Sequence, residues 1–262
     1  MKAKEIMEKL FSVADERDYS NSCDKCVSGN PDTIVNKIAV TMFPSPEVIK
    51  NAFKWGADLL IVHEPVYHSP ADENDPVDVA KRKIIEESGM VLYRYHDHTH
   101  YTTPDIIAAG EFKYLGLKGK TECTDVFDLL RFKLETPITP VELAKHIENT
   151  LGIKHVRISG ATDIKCTKLS GMFGAPGKGA FNEIRNDECE ILLVGETTEW
   201  LLCEYARDAA QMGFKKSLLM LGHAGSERDG MKYTADILAD MFPELEVKYF
   251  ECGEAYTYAD NN

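Results

Sequence analysis

Most of the histidines in this chain stand in three short clusters, each at the end of a short hydrophobic run. The clusters are IVHEPVYH at 61–68, YRYHDHTH at 93–100 and GHAGSE at 222–227. Six of the eight histidines lie there, together with several carboxylates. Imidazole and carboxylate are the ligands that suit zinc, manganese, iron or nickel. The clusters therefore predict a metal centre whose donors come from distant segments of the chain.

The second cluster contains His96, Asp97, His98 and His100. If this segment is a helical turn, the four-residue spacing lets the side chains of His96 and His100 point the same way. If it is extended, His96, His98 and His100 share one face. The sequence leaves this choice open.

The third cluster pairs His223 with Glu227 at the same four-residue spacing. Ser226 is the expected N-cap of a helix that runs to Met241, with Glu227 in its first turn. The two oxygens of one glutamate can bridge two cations that share a site.

Each cluster also has an ordinary interpretation. A lone H-x-x-x-E pair is usually a surface or capping feature, and a histidine-rich loop can simply respond to pH. His68 follows Pro65 and Tyr67, and we expect it to face solvent or to lie behind the ligands. The joint pattern of histidines and carboxylates at strand ends favours the metal centre over buried core histidines.

Size and charge narrow the class of protein. The chain has 262 residues, 44% of them hydrophobic and 28% charged, as expected for a globular protein with one large domain or two smaller ones. The net charge of −13 disfavours electrostatic binding of nucleic acid or of an anionic membrane over a broad surface. An acidic surface is compatible with a cationic metal centre.

The first 21 residues predict an amphipathic helix with Ile6, Leu10 and Val13 on one side, and charges within it argue against a signal peptide. The apolar runs are far shorter than the roughly 20 residues of a membrane helix. Seven cysteines include one C-x-x-C pair, Cys23 and Cys26. The sequence has no second pair to complete a zinc site, so we interpret these residues as two thiols in a polar loop, with half of a zinc site as the alternative. These features predict a cytoplasmic protein with reduced thiols.

Alternating apolar runs and amphipathic helices occur twice along the chain. The first half has strands at 37–42, 57–63 and 90–96, with helices at 46–55 and 77–88 between them. The second half has strands at 190–196, 217–223 and 247–251, with helices at 198–212 and 226–241. Residues 127–172 add further strands around a helix at 140–151. This order predicts βαβ units with both sheet faces covered.

We therefore predict an α/β fold with two related halves and mixed sheets. The N-terminal half, 1–125, carries the first two clusters, and the C-terminal half, 126–262, carries the His-x-x-x-Glu motif. In open α/β sheets, ligands bind beyond the carboxyl ends of the strands, where the clusters stand. The glycine-rich stretch GMFGAPGKGAF at 171–181 lacks the order of a phosphate-binding loop, so we interpret it as a tight turn, with a phosphate cradle as the alternative.

Several of these segments resemble the Nif-three-like dinuclear-metal family, whose bacterial members are often labelled type-two GTP cyclohydrolase I. The resemblance spans nearly the whole chain and rests on GADLLIVHEP, the histidine loop in mid-chain and GHAGSE before a long helix. SCDKCVSGN at 22–30 stands where the family has an aspartate–asparagine–glycine loop. GMFGAPGKG at 171–179 stands where it has a glycine-rich loop, and LLVGETTEW at 192–200 where it has a glycine–glutamate strand end. The resemblance implies two α/β halves, a homo-hexamer built as a trimer of dimers, and two metals in each subunit.

The resemblance also implies a ligand set with two exchanged positions. Glu64 stands where the family has a histidine, and His100 stands where it has an aspartate. If both positions ligate the same ion, the exchange keeps one imidazole and one carboxylate on it. The implied metal ligands are His63, Glu64, His96, His100, His223 and Glu227, and the implied cofactors are two divalent transition-metal ions (zinc, iron, manganese or nickel).

Together these features predict a metal-dependent hydrolase of a small or nucleotide-like substrate, with Glu227 and His98 as candidate catalytic residues and Asp97 or His68 as other proton shuttles. GTP ring opening is implied only by the resemblance. The alternative is a non-catalytic, ring-shaped metal-binding scaffold or regulatory protein. We expect self-association and a small-molecule substrate, with no nucleic acid or membrane as partner.

Overall fold

A computed structural model describes residues 1–68, 72, 74–124 and 126–259. The chain forms two compact units, Met1–Thr103 with Met231–Gly253 and Pro104–Gly230 with Glu254–Asn262. Each unit contains a mixed β-sheet with helices packed on it, which confirms the predicted fold class. Among the described residues, no helix has the length and apolar character needed to cross a bilayer.

Helices and strands alternate along most of the chain. The helices are α1 (Ala3–Phe11), α2 (Pro46–Trp55), α3 (Pro76–Ser88), α4 (Asp97–His100), α5 (Ile106–Leu115), α6 (Pro140–Leu151), α7 (Lys178–Ile184), α8 (Glu204–Gln211) and α9 (His223–Met241). The strands are β1 (Cys26–Ser28), β2 (Lys37–Thr41), β3 (Leu59–Val62), β4 (Val91–Arg94), β5 (Gly119–Cys123), β6 (Leu130–Ile138), β7 (Arg157–Gly160), β8 (Cys166–Met172), β9 (Ile191–Val194), β10 (Ser217–Met220) and β11 (Glu246–Tyr249).

The sheet of the first unit has the order β1-β4-β3-β2-β11. Strands β4, β3, β2 and β11 are parallel, and β1 is antiparallel to β4. The four residues of β3 are fully buried, as expected for a central strand with both faces covered. On one face, Ile49 and Ala52 of α2 pack with Leu60 and Leu92. Because β3 and β4 are parallel neighbours, their carboxyl ends bring the first two histidine clusters to one edge of this sheet.

The sheet of the second unit has the order β5-β6-β8-β9-β10-β7, with β8, β9 and β10 parallel. Alternate residues of β9 enter two different cores: Leu193 joins the core around α5 and α6, and Leu192 joins the core around α7 and α8. The period of two along a strand produces this division. The carboxyl ends of the parallel strands lead into the glycine-rich loop, Glu196 and the third histidine cluster.

Capping residues set the ends of the helices that the sequence predicts best. Helix α2 starts after Ser45, whose hydroxyl accepts a hydrogen bond from the Val48 amide, and ends at Gly56 with φ of 84°. Helix α6 starts with a reciprocal capping box between Thr139 and Glu142. The predictions at 46–55 and 140–151 are both confirmed to the residue.

Two local predictions, on Val13 and on Ser226, are wrong, and two other predicted elements form but differ in detail. Helix α1 ends at Phe11, so Val13 lies outside it with 43% of its surface exposed. The segment at 198–212 begins with a π-helical turn, Glu199–Cys203, before α8. Helix α9 begins at His223, which places Ser226 inside the helix and not at its N-cap. The strand predicted at 247–251 forms β11 and pairs with β2, so it extends the sheet of the first unit.

Candidate metal centre

Three histidines of the first unit form a compact group, which we call the three-histidine group. His63 follows β3, His96 follows β4, and His100 ends the short helix α4. The ring centroids lie 4.4 Å apart for His63 and His96, 5.1 Å for His63 and His100, and 4.9 Å for His96 and His100. Their nitrogen ligand atoms lie within 4.8 Å of one another. The helical alternative for the second cluster is therefore the observed one.

His63 has the environment of a neutral imidazole with a fixed orientation. Its Nδ1 lies 3.1 Å from the carbonyl oxygen of Tyr95, which can only accept a hydrogen bond. Burial, and then the neighbouring His96 and His100, hold the pKa of His63 well below its ordinary value. A proton on Nδ1 places the lone pair on Nε2, where a cation can bind, which is how a backbone carbonyl commonly orients a metal-ligating histidine.

His96 is oriented by a carboxylate. Its Nδ1 lies 2.9 Å from Oδ1 of Asp97. Burial acts to raise the pKa of Asp97, but hydrogen bonds from His96 and from the Cys23 backbone outweigh it and hold this pKa below its ordinary value. Asp97 is therefore ionised, and an ionised carboxylate increases the basicity of the imidazole that it binds.

The loop before β1 holds the second cluster in place through Asp24. The Asp24 side chain is fully buried, and its two oxygens accept hydrogen bonds from the backbone amides of His96, Asp97 and His98 at 2.5, 3.2 and 2.8 Å. These amides form the start of α4, where a negative charge is favourable. The strand register explains the contact. Since β1 runs antiparallel to β4 with Cys26 opposite Tyr93, residues before Cys26 lie beside residues after Tyr93.

His98 lies apart from the three-histidine group. Its ring stacks between Phe11 and Tyr19, with centroid distances of 4.3 and 3.9 Å, and its Nδ1 lies 2.6 Å from Oδ2 of Asp24. Among the described residues, no potential metal-binding group includes His98. These contacts fit a side chain that stabilises the loop, and the proton-shuttle role of His98 stays a prediction.

Glu64 and His68 complete the first cluster. Glu64 is buried, and one of its oxygens lies 3.8 Å from the guanidinium of Arg94, whose Nε donates a hydrogen bond to the His63 carbonyl oxygen. His68 is exposed, as one of the two alternatives predicted, and its backbone amide donates to Asp78.

In the second unit, His223 lies between two carboxylates at the start of α9. Its Nδ1 is 2.8 Å from Oε1 of Glu196, and its Nε2 is 3.2 Å from Oε2 of Glu227. Two ligand atoms on one transition-metal ion are about 3.0–3.4 Å apart when each bond is about 2.1 Å. The separation of His223 and Glu227 therefore fits two ligands of a single ion, with Glu196 orienting the imidazole.

The glycine-rich loop makes room for Glu227. A Cβ atom on Gly174 would lie 2.3 Å from Oε1 of Glu227, and the φ of Gly174 is +64°. The Ser226 hydroxyl accepts a hydrogen bond from the Gly174 amide and donates to the His223 carbonyl oxygen, both at 2.9 Å. The Gly174 amide is thus used within the protein, which favours the tight-turn interpretation of this loop over a phosphate cradle.

The ligand atoms of the three-histidine group and those of His223 and Glu227 are of the types that bind a transition-metal ion. Imidazoles whose second nitrogen faces a carbonyl or carboxylate, together with a buried glutamate, suit zinc, iron, manganese or nickel. Sequence reasoning identified these histidines and Glu227. It gave no role to Asp24 or Glu196, although both lie in segments that the family resemblance includes. Their contacts with the histidines depend on strand ends that meet in space.

The fold and these groups define a two-unit mixed α/β protein with histidine and carboxylate clusters that can hold metal ions. The family described as Duf34/NIF3 (NGG1p interacting factor 3) matches residues 1–254, and the chain belongs to this family. The predicted family resemblance is thereby confirmed.

Individual relatives agree with this assignment. A Clostridium perfringens protein named GTP cyclohydrolase 1 type 2 homolog is 23% identical over 206 residues, 76% of each chain. A Methanocaldococcus jannaschii protein of the same name is 35% identical over 98 residues, which are 37% of this chain and only 40% of that relative. The structure of a Bacillus cereus protein related to NIF3 superposes with a TM-score of 0.76 at 14% identity and covers 99% of both chains, which supports the fold.

Proposed function

We propose that this chain is a dinuclear-metal-binding protein that acts as a metal-dependent hydrolase of a small or nucleotide-like substrate. The observation that supports it best is the three-histidine group, in which His63 is buried, oriented by a carbonyl and held neutral. The proposed ligands of two divalent transition-metal ions (zinc, iron, manganese or nickel) are His63, Glu64, His96, His100, His223 and Glu227.

The residues around these ligands have separate tasks in the proposal. When bound, two divalent ions would lower the pKa of water and polarise the scissile group of the substrate. Asp97 and Glu196 orient His96 and His223 through Nδ1, so that Nε2 of each ring faces its ligand position. Glu227 is the proposed catalytic carboxylate at the reacting centre. His98 keeps the proton-shuttle role in this proposal.

Metal content tests the ligand set without reference to turnover. We expect about two transition-metal ions per chain in protein purified without added metal, because two metals are what the proposal requires. His63→Ala should lower this content, whereas the exposed histidine variant His68→Ala should leave it unchanged. Elemental analysis measures both, and a content near zero in the gently purified wild type would contradict the proposal.

Turnover separates the enzyme from a metal-binding scaffold. Two relatives are named GTP cyclohydrolase 1 type 2 homolog, so the substrate panel starts with GTP and adds phosphoesters and amides. We expect turnover that Glu227→Ala abolishes while its circular dichroism spectrum stays that of the wild type. If the metal-loaded protein turns over none of these substrates, the non-catalytic scaffold or regulatory protein becomes the better proposal.

The exchange of ligand types at 64 and 100 gives a further test. If Glu64 and His100 ligate the same ion, the double change Glu64→His with His100→Asp retains metal better than either single change. Elemental analysis of the three variants measures this coupling. Losses that simply add would show that the two positions act independently.

The proposal includes a cytoplasmic location and assembly as a homo-hexamer, a trimer of dimers. Light scattering at several protein concentrations measures the assembly, and a monomer throughout would contradict it. A nucleic-acid or membrane partner is not proposed, because the net charge is −13.

A further inference from the structure

A thiol, an imidazole and a carboxylate meet beside the three-histidine group. The Cys23 Sγ lies 3.4 Å from Oδ1 of Asp97, and the His96 Nδ1 lies 2.9 Å from the same oxygen. One ligand atom from each of Cys23, His96 and Asp97 lies within 4.8 Å of the other two. All three side chains are half-buried, which leaves a path for an ion and for water.

These separations are close to those of ligands on one ion. With a metal–sulfur bond of about 2.3 Å and a metal–oxygen bond of about 2.1 Å, a tetrahedral site places sulfur and oxygen about 3.5 Å apart. The observed distance between Cys23 and Asp97 is 3.4 Å. Nitrogen and oxygen ligands would be about 3.4 Å apart, so His96 and Asp97 need to separate by about half an ångström.

We propose that Cys23, Asp97 and Nδ1 of His96 form a second kind of metal site, with a thiolate ligand, for a zinc-like divalent cation. An imidazole has two nitrogens, so Nε2 of His96 remains for the three-histidine group and the ring links the two sites. When the cation binds, the Cys23 S–H bond and the His96 Nδ1–H bond both break, the two protons pass to solvent, and a sulfur–metal and a nitrogen–metal bond form. This site shares a residue with the proposed hydrolase centre but does not depend on hydrolysis.

The other interpretation of the same contacts is purely structural. In it, the Cys23 thiol donates a hydrogen bond to Asp97, and Asp97 only orients His96. A thiolate–metal bond distinguishes the two because it has a spectroscopic signature that a hydrogen bond lacks. Cys26, three residues along, is the matched control, since its Sγ lies 3.4 Å from the backbone carbonyl oxygen of Ser28.

Titration of the metal-free protein with cobalt(II) tests the site. The wild type should develop the near-ultraviolet charge-transfer band of a thiolate–cobalt bond. Cys23→Ser should lose this band, and Cys26→Ser should keep it at wild-type intensity. The proposal is overturned if the wild type shows no such band or if the band survives in Cys23→Ser. Because no substrate is present, a protein without hydrolase activity gives the same expected result.

Alkylation of the wild-type protein provides a measurement that needs no variant to fold. Zinc should slow the modification of Cys23 by iodoacetamide at least about tenfold, since the metal-bound sulfur is not free to attack. Peptide mass spectrometry reads Cys23 and Cys26 in the same sample, and the rate at Cys26 should change little. Equal rates at Cys23 with and without zinc would overturn the proposal.

Discussion

Asp24 offers a sharp test of how the second histidine cluster is held. Its buried carboxylate accepts hydrogen bonds from three backbone amides and from the His98 ring. Asp24→Ala leaves the amides at the start of α4 without this acceptor. Each unsatisfied buried group costs about 1–3 kcal/mol. Because water can enter the space left, we expect a loss of about 3–5 kcal/mol in the free energy of unfolding.

Urea denaturation followed by circular dichroism measures this loss. The matched control is Asp32→Ala, because the Asp32 side chain is 48% exposed and pairs with the surface residues Lys2 and Lys4. Such exposed pairs contribute about 0–1 kcal/mol. Asp24→Asn keeps one oxygen acceptor and should fall between the two. If Asp24→Ala and Asp32→Ala differ by less than about 0.5 kcal/mol, the reasoning on Asp24 is refuted.

Asp24→Ala should also weaken metal binding. Asp24 holds the loop that carries His96 and His100, and loss of a residue that supports ligands typically lowers metal affinity about 10–100-fold. Competition with a chromophoric chelator measures the affinity at a temperature where the variant is folded. Unchanged affinity would show that the loop keeps its geometry without Asp24.

Two other changes address the second unit. Gly174→Ala should displace the Glu227 carboxylate and lower the metal content. Gly177→Ala is the control, because this glycine also has a positive φ but a Cβ atom on it would meet nothing within 4 Å. Equal metal loss in the two variants would refute the proposed clash with Glu227. Burial, and then the nearby Asp229, raise the pKa of Glu111 well above its ordinary value of 4.5. As pH rises, Glu111 therefore loses its proton in the unfolded chain before it does so in the folded protein. Between pH 4.5 and the pKa of Glu111 in the folded protein, the free energy of unfolding of the wild type should fall by up to about 1.4 kcal/mol per pH unit. Glu111→Gln should remove this dependence in urea titrations at several pH values, and an unchanged slope would assign it to other groups.

Local patterns were enough to predict most of the elements. Helices α2 and α6 begin at a hydroxyl cap followed by proline and end before glycine, so their signals lie within the helix and its flanks. The buried strands β3 and β9 are short apolar runs between polar segments, which predicted parallel βαβ units. The candidate ligands were visible for a similar reason, since each ends a predicted strand or closely follows one.

Strand pairing and hydrogen bonds between distant segments of the chain could not be predicted from local patterns. Strand β11 looks like a continuation of the second sheet in sequence, yet it pairs with β2, more than 200 residues earlier. The predicted N-cap Ser226 lies inside α9, where its hydroxyl binds the glycine-rich loop. Both outcomes depend on which backbone edge and which hydrogen-bond partner are available in the folded chain.

The amino-acid sequence by itself determined the α/β class and the histidines and glutamate that can bind metal, because these follow from residue type and local period, and its motifs carried the resemblance to the family. Only the tertiary structure decided which other side chains contact and orient these metal-binding residues. The antiparallel register of β1 on β4 carries Cys23 and Asp24 to His96, and the fold around α9 places Glu196 against His223. Such contacts join residues tens of positions apart, and their geometry comes from sheet register and packing that no local pattern encodes.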